Sequence, residues 1–318
     1  MGRGPTARPL SILLLISLLL TLACAQRTVT PHEGFADVPG GRVWYRVLGS
    51  GSRTPLLMVH GGPGAGSCSF TDLAERLSAD RPVVLYDQLG SGRSERPSDP
   101  SLWNVGRFVD ELTALRTALD LKRVHLFGHS WGGAVVAEYM LTADPEGVQS
   151  VIFAGPLLST RRWIADANAL LTQLPEDVQR TIAVNERQGT TQSPEYQKAT
   201  EVFYSRFLFH HQPAPKRNPV CALNQTVYEQ MWGTSEFYAT GSLRNYDRVD
   251  RLPEIRVPVL FAVGEFDEVR VETAADFTRR IAGARMEVIG NAGHVAMVDE
   301  PHQYEEMLRR FLKSVPSR

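Results

Sequence analysis

The chain has 318 residues, of which 43% are hydrophobic and 22% charged, enough apolar content for a full globular core. Its 34 Lys and Arg face 35 Asp and Glu, a net charge of −1. With no basic stripe and no nucleic-acid motif, nothing in it supports a nucleic-acid partner.

Arg3 and Arg8 precede an apolar run from Leu10 to Leu22, too short and too one-sided for a membrane span. Residues 1–25 therefore read as an export signal, and the protein is expected to be periplasmic or secreted. Ala23-Cys24-Ala25 fits a small-x-small cleavage site that would leave Gln26 first. Leu20-Thr21-Leu22-Ala23-Cys24 loosely fits a lipobox instead, which would leave Cys24 lipidated as a membrane anchor, although the usual leucine is displaced. The other cysteines, Cys68 and Cys221, are an even pair that an oxidising compartment would allow to join; two buried free thiols are the other reading.

Next, a Pro39-Gly40-Gly41 turn leads into the alternating strand Arg42–Val47. Leu56–Val59 reads as a buried strand ending in His60-Gly61-Gly62-Pro63-Gly64. Pro82–Tyr86 is another, followed by Asp87-Gln88 and Gly90-Ser91-Gly92-Arg93-Ser94. Val105, Phe108, Val109, Leu112, Leu115 and Leu119 recur at helical spacing. Strands at Val124–Phe127, Val148–Ala154, Val257–Val263 and Met286–Ile289 continue the alternation, which implies a mostly parallel central sheet with helices on both faces. Between Pro156 and Tyr246 the pattern changes to helix-like stretches at Arg161–Leu174, Pro175–Gln188, Ser193–Phe209 and Cys221–Trp232. The expected organisation is an α/β core (residues 26–155 and 247–318) carrying an inserted helical cap (156–246).

Strand Val124–Phe127 runs directly into Gly128-His129-Ser130-Trp131-Gly132-Gly133 and then into a helix. Strand, G-x-S-x-G and helix in succession form the nucleophile elbow of an α/β-hydrolase, whose glycines let a tight turn push the serine hydroxyl into the open. Such a fold presents its parts in the order oxyanion loop, Ser, acid, His. Gly62, in the glycine-rich loop, and Trp131, next to the nucleophile, are the expected amide donors of the oxyanion hole. In Gly264-Glu265-Phe266-Asp267-Glu268 three carboxylates compete; Asp267 fits the acid, while Glu265 and Glu268 read as solvated or structural. His294, in the loop after the last strand, fits the base. His294 would take the Ser130 proton, Asp267 would hold the imidazole, and water would release the acyl-enzyme without metal or organic cofactor.

These motifs together resemble the proline iminopeptidases, or prolyl aminopeptidases, of the α/β-hydrolase fold. The resemblance rests on His60-Gly61-Gly62-Pro63-Gly64, on Asp87-Gln88 with Gly90-Ser91-Gly92-Arg93-Ser94, and on Gly128–Gly133, and runs from about Gly34 to Leu312. It implies a serine aminopeptidase acting on peptides or small amides, releasing proline or another small apolar residue. It also implies that Glu201 and Glu236 bind the substrate α-ammonium. The chain departs from the family's Arg-His pair at Ser205-Arg206-Phe207. An esterase or lactonase with the same triad is the first alternative; a non-catalytic binding protein of this fold would not need a matched triad.

Overall fold

The computed structural model describes residues 1–2, 29–210 and 218–316. The export segment, Cys24 and Gln26 lie outside these. The described strands are β1 (His32–Val38), β2 (Gly41–Leu48), β3 (Leu56–Val59), β4 (Val83–Tyr86), β5 (Val124–His129), β6 (Val148–Ala154), β7 (Val259–Gly264) and β8 (Arg285–Ile289). They form one sheet in the order β1-β2-β4-β3-β5-β6-β7-β8. β1 and β2 make an antiparallel hairpin, β2 is antiparallel to β4, and the remaining neighbours are parallel. The sequence reading lacks β1. This edge strand, HEGFADV, buries only Ala36, so it carries no apolar alternation to detect. By contrast, β3, β4 and β5 are buried throughout, as parallel strands covered on both faces must be.

Helices α1 (Thr71–Leu77), α2 (Val105–Ala118) and α3 (Trp131–Thr142) alternate with the first strands. Four more, α4 (Thr160–Leu171), α5 (Glu176–Gln188), α6 (Pro194–Phe207) and α7 (Gln225–Met231), occupy the interval between β6 and β7, which contains no strand among the described residues. Then come α8 (Val271–Arg280), α9 (Ala296–Asp299) and α10 (Pro301–Ser314). On one face of the sheet, Phe108 and Leu112 of α2, Val135 and Tyr139 of α3 and Phe277 of α8 share a core. Leu73 and Leu77 of α1 and Leu308 and Phe311 of α10 fill the other face.

The insertion leaves and rejoins the core at one narrow neck. The Ser159 hydroxyl donates to Asp247 (2.7 Å), the Thr160 amide to the Tyr246 carbonyl (2.9 Å) and the Arg248 amide to the Leu158 carbonyl (2.9 Å). Its helices start and stop on local signals: Ser159 caps α4, Ser193 caps α6 with Pro194 following, and left-handed Gly189 (φ 66°) ends α5. Leu170, Ile182, Tyr196, Phe203, Phe207 and Phe237 give it a small core of its own. A disulfide joins Cys68, just after the glycine-rich loop, to Cys221 in the insertion, 153 residues away, so the free-thiol alternative does not apply.

Candidate active site

Ser130 stands at the turn from β5 into α3 with φ 54° and ψ −122°, a backbone state that costs a side-chain-bearing residue about 1–3 kcal/mol. Hydrogen bonds hold it there. Its amide donates to the Ala154 carbonyl (2.9 Å), and its carbonyl accepts from Gly133 (2.9 Å) and Leu157 (3.0 Å). The flanking glycines are sterically required, because a Cβ on Gly128 would lie 2.6 Å from the Gly132 carbonyl oxygen and one on Gly132 would lie 2.2 Å from that of Val59.

The two strand-end residues expected downstream meet at this turn. Asp267, beyond β7, accepts the Nδ1 proton of His294 at 2.7 Å, and the Val269 and Gly264 amides donate to the same carboxylate at 2.9 and 3.2 Å. An ionised carboxylate only accepts, so Nδ1 carries the proton and Nε2 of a neutral His294 is the free base. His129 precedes Ser130, and its ring lies 4.6 Å from that of His294. Burial first, and the neighbouring His294 second, push His129 down to about 3, so it stays neutral. Its Nε2–H donates to the His294 carbonyl at 3.0 Å. Trp163 of α4 meets His294 edge to face at 5.3 Å. Gly155, after β6, leaves room for the pair: a Cβ there would lie 2.8 Å from His294 Nδ1 and 2.9 Å from Asp267 Oδ2.

The upstream motifs lock together beside the nucleophile. Gly62 takes φ +46°, and a Cβ on neighbouring Gly61 would come within 2.8 Å of the Ser130 Cβ. Gln88 ties this loop to the elbow by donating to the His60 carbonyl (2.7 Å) while its side-chain oxygen accepts the Trp131 indole N–H (2.9 Å). Its backbone amide donates to His60 Nε2 (2.9 Å). Asp87 is fully buried and accepts from the Ser67 amide and hydroxyl (2.8 and 2.7 Å) and from the Arg93 amide (2.9 Å). The Asp-Gln motif thus fixes the loops rather than presenting itself to a substrate.

The insertion contributes two further features. Glu236, in the segment after α7, is half-buried and accepts on one oxygen from the hydroxyls of Tyr204 (2.8 Å) and Tyr228 (2.9 Å). Burial, and then the Glu236 charge, raise both phenols well above their usual range, so both remain donors. The end of α6 also grips the histidine loop: the Phe207 carbonyl accepts the His294 amide (2.7 Å) and the Leu208 carbonyl that of Val295 (3.0 Å). Asp299 adds to the grip by accepting from the Gly293 and His210 amides, both at 2.8 Å.

For two acidic residues the structure settles the burial that the sequence left open. Glu201 is exposed, because the buried face of α6 is formed by Tyr196, Ala199, Phe203 and Phe207, and position 201 falls on the opposite side. Glu268 is not solvated but 3% exposed, with one oxygen 3.8 Å from His294 Nε2 and the other without a hydrogen-bond partner. Burial, reinforced by Glu236 and Asp267 against the opposing pull of His294, raises it to about 8. Nothing in the string Gly264–Glu268 separates it from Glu265, which is exposed and accepts the Asn291 amide at 3.0 Å. Burial alone would lower His294, but the charge and hydrogen bond of Asp267, followed by Glu268 and Glu236, raise it to about 9.

The α/β hydrolase fold family matches residues 54–301. The proline iminopeptidase of Heyndrickxia coagulans is 42% identical over 287 residues, covering 89% of this chain and 99% of that protein. The crystal structure of the proline iminopeptidase of Mycobacterium smegmatis superposes with a TM-score of 0.81 at 30% identity, over 89% of this chain and 98% of that one. The crystal structure of VinJ does so with a TM-score of 0.83 at 32% identity, over 90% of this chain and all of that one. The chain belongs to the proline iminopeptidase family of α/β hydrolases.

Proposed function

We propose that the chain is a serine aminopeptidase that releases an N-terminal residue, proline or another small apolar one, through an acyl-enzyme on Ser130. His294 is its base, Asp267 its orienter, and the Gly62 and Trp131 amides its oxyanion donors. The observation that carries the aminopeptidase reading is the convergence of Glu236 and buried Glu268 on His294. An α-ammonium between these carboxylates makes charge-assisted hydrogen bonds of about 1.5–3 kcal/mol each. Its charge also offsets the pull of both glutamates on His294, which favours the neutral imidazole that can accept the Ser130 proton. A substrate with a blocked amine supplies neither effect. The Cys68–Cys221 disulfide supports export, since such bonds persist in oxidising compartments.

The test is kcat/KM on a free prolyl amide, a free alanyl amide, the N-acetylated prolyl amide and a short acyl ester, with Ser130→Ala as the blank. The free amides are expected to turn over, and acetylation to remove activity. Cleavage of the ester alone would overturn the aminopeptidase reading and leave only a serine hydrolase.

A further inference from the structure

At the end of the sheet opposite Ser130, residues at and just before the starts of β3, β5 and β6 border a cavity of about 690 Å³. β5 alone separates the two ends by roughly 17–20 Å at about 3.3 Å per residue, so this cavity is not an extension of the hydrolytic site. Its charge is one-sided. Arg53, Arg81, Arg123, Arg309 and Lys313 line it against one carboxylate among the described residues, that of Asp80, which Arg309 already engages.

Arg81 is 8% exposed, yet no carboxylate pairs with it among the described residues. Its hydrogen bond there runs from Nη1 to the Thr54 carbonyl at 3.3 Å. A guanidinium carries five N–H donors, and those of Arg81 left without a protein acceptor are not sealed from solvent but border the cavity, where the oxygens of a bound anion can take the place of water. Burial, then repulsion by Arg53, pulls Arg81 down to about 10. His125 also lines the cavity, with Nδ1 on the Ser150 hydroxyl at 2.7 Å. Burial, then Arg81 and Arg123, push it down to about 3 and keep it uncharged. The hydrolytic reaction uses none of these groups.

We propose that this cavity binds a phosphorylated small molecule, with Arg81 as the buried anchor and Arg53 and Arg123 beside it. Several guanidinium forks match an oxyanion with three or more acceptor oxygens better than they match a spherical anion. The volume lies within the ~300–1,000 Å³ of small-ligand pockets, and Leu77, Leu312 and Val315 offer apolar wall to an organic portion.

The experiment is calorimetric titration of the full chain with inorganic phosphate and with glycerol 1-phosphate, at ionic strength fixed with chloride. NMR of the His125 ring and co-sedimentation with phosphatidylglycerol vesicles run in parallel. Saturable binding is expected, weakened about tenfold or more by Arg81→Gln. Bound phosphate should also move the His125 titration upward, because an anion stabilises the imidazolium. Since Arg81→Gln removes a buried side chain, Arg53→Gln on the exposed rim serves as the second variant and should weaken binding by a smaller factor. Retention on vesicles that is lost in Arg81→Gln would identify the phosphate as a lipid headgroup; binding of the soluble ester alone would identify it as a free metabolite. No saturable binding of either soluble probe and no such vesicle retention, or binding unchanged in both variants, would overturn the proposal.

Discussion

Ser130, Asp267 and His294 stand on strand ends of the core, where neighbouring backbone leaves little room for alternatives. Glu236 stands in the insertion and owes its position to two tyrosines on two different helices. The core therefore fixes its reactive groups through main-chain contacts, to which α6 adds the bonds that hold the His294 loop, and the insertion fixes its polar group through side-chain packing. The ammonium site proposed here needs both: Glu268 comes from the core and Glu236 from the insertion. The spacing of the two carboxylates then reports how the insertion sits on the core, so discrimination for a free amine depends on that docking while the nucleophile's geometry does not.

Substitutions on the two sides should separate these contributions. The largest effect is expected in the core, where Asp267→Asn removes the acceptor that sets the His294 tautomer and should lower kcat by about 10⁴. Single-turnover kinetics would check this, and a loss under tenfold would move the orienting role elsewhere. Glu236→Gln and Glu268→Gln should each cost free-amine substrates about 10- to 100-fold in kcat/KM, with much smaller losses on N-acetylated ones. Equal losses on both substrates would remove that residue from amine recognition.

A pH profile sharpens the core side further. His294 must be neutral to act as base, so the acid limb of kcat/KM follows its raised titration near 9 in the free enzyme. Glu268→Gln removes a negative charge that helps raise it, and the limb should move to lower pH. A limb that stays in place would mean Glu268 does not act on the imidazole. The smallest effect is expected at Glu201→Gln, where kcat/KM on free prolyl amide should stay within about twofold because the side chain is exposed.

The same contrast explains what could be read from the sequence. The elbow, the glycine-rich loop and the strand-end Asp267 and His294 announce themselves because glycine and strand patterns record backbone demands. The insertion's helices were legible as helix-like stretches that fall close to α4, α5, α6 and α7. Which glutamates are buried was not. Glu201 sits one helical face away from the buried stripe of α6, and Glu268 looks like its solvated neighbour Glu265 until the chain packs around it. β1 escaped because an exposed edge buries too little to leave a pattern.

The bond from the His294 amide to the Phe207 carbonyl, with its companions at Leu208 and Asp299, makes the insertion a latch on the catalytic loop. A lid hinged to swing away here would release the histidine as it opened, and an open enzyme would be an idle one. Water and stray acyl compounds arriving in that state would meet a serine whose base is out of register. The bonds that seat the insertion on the core are thus the same bonds that seat the base, so the one cannot shift without the other.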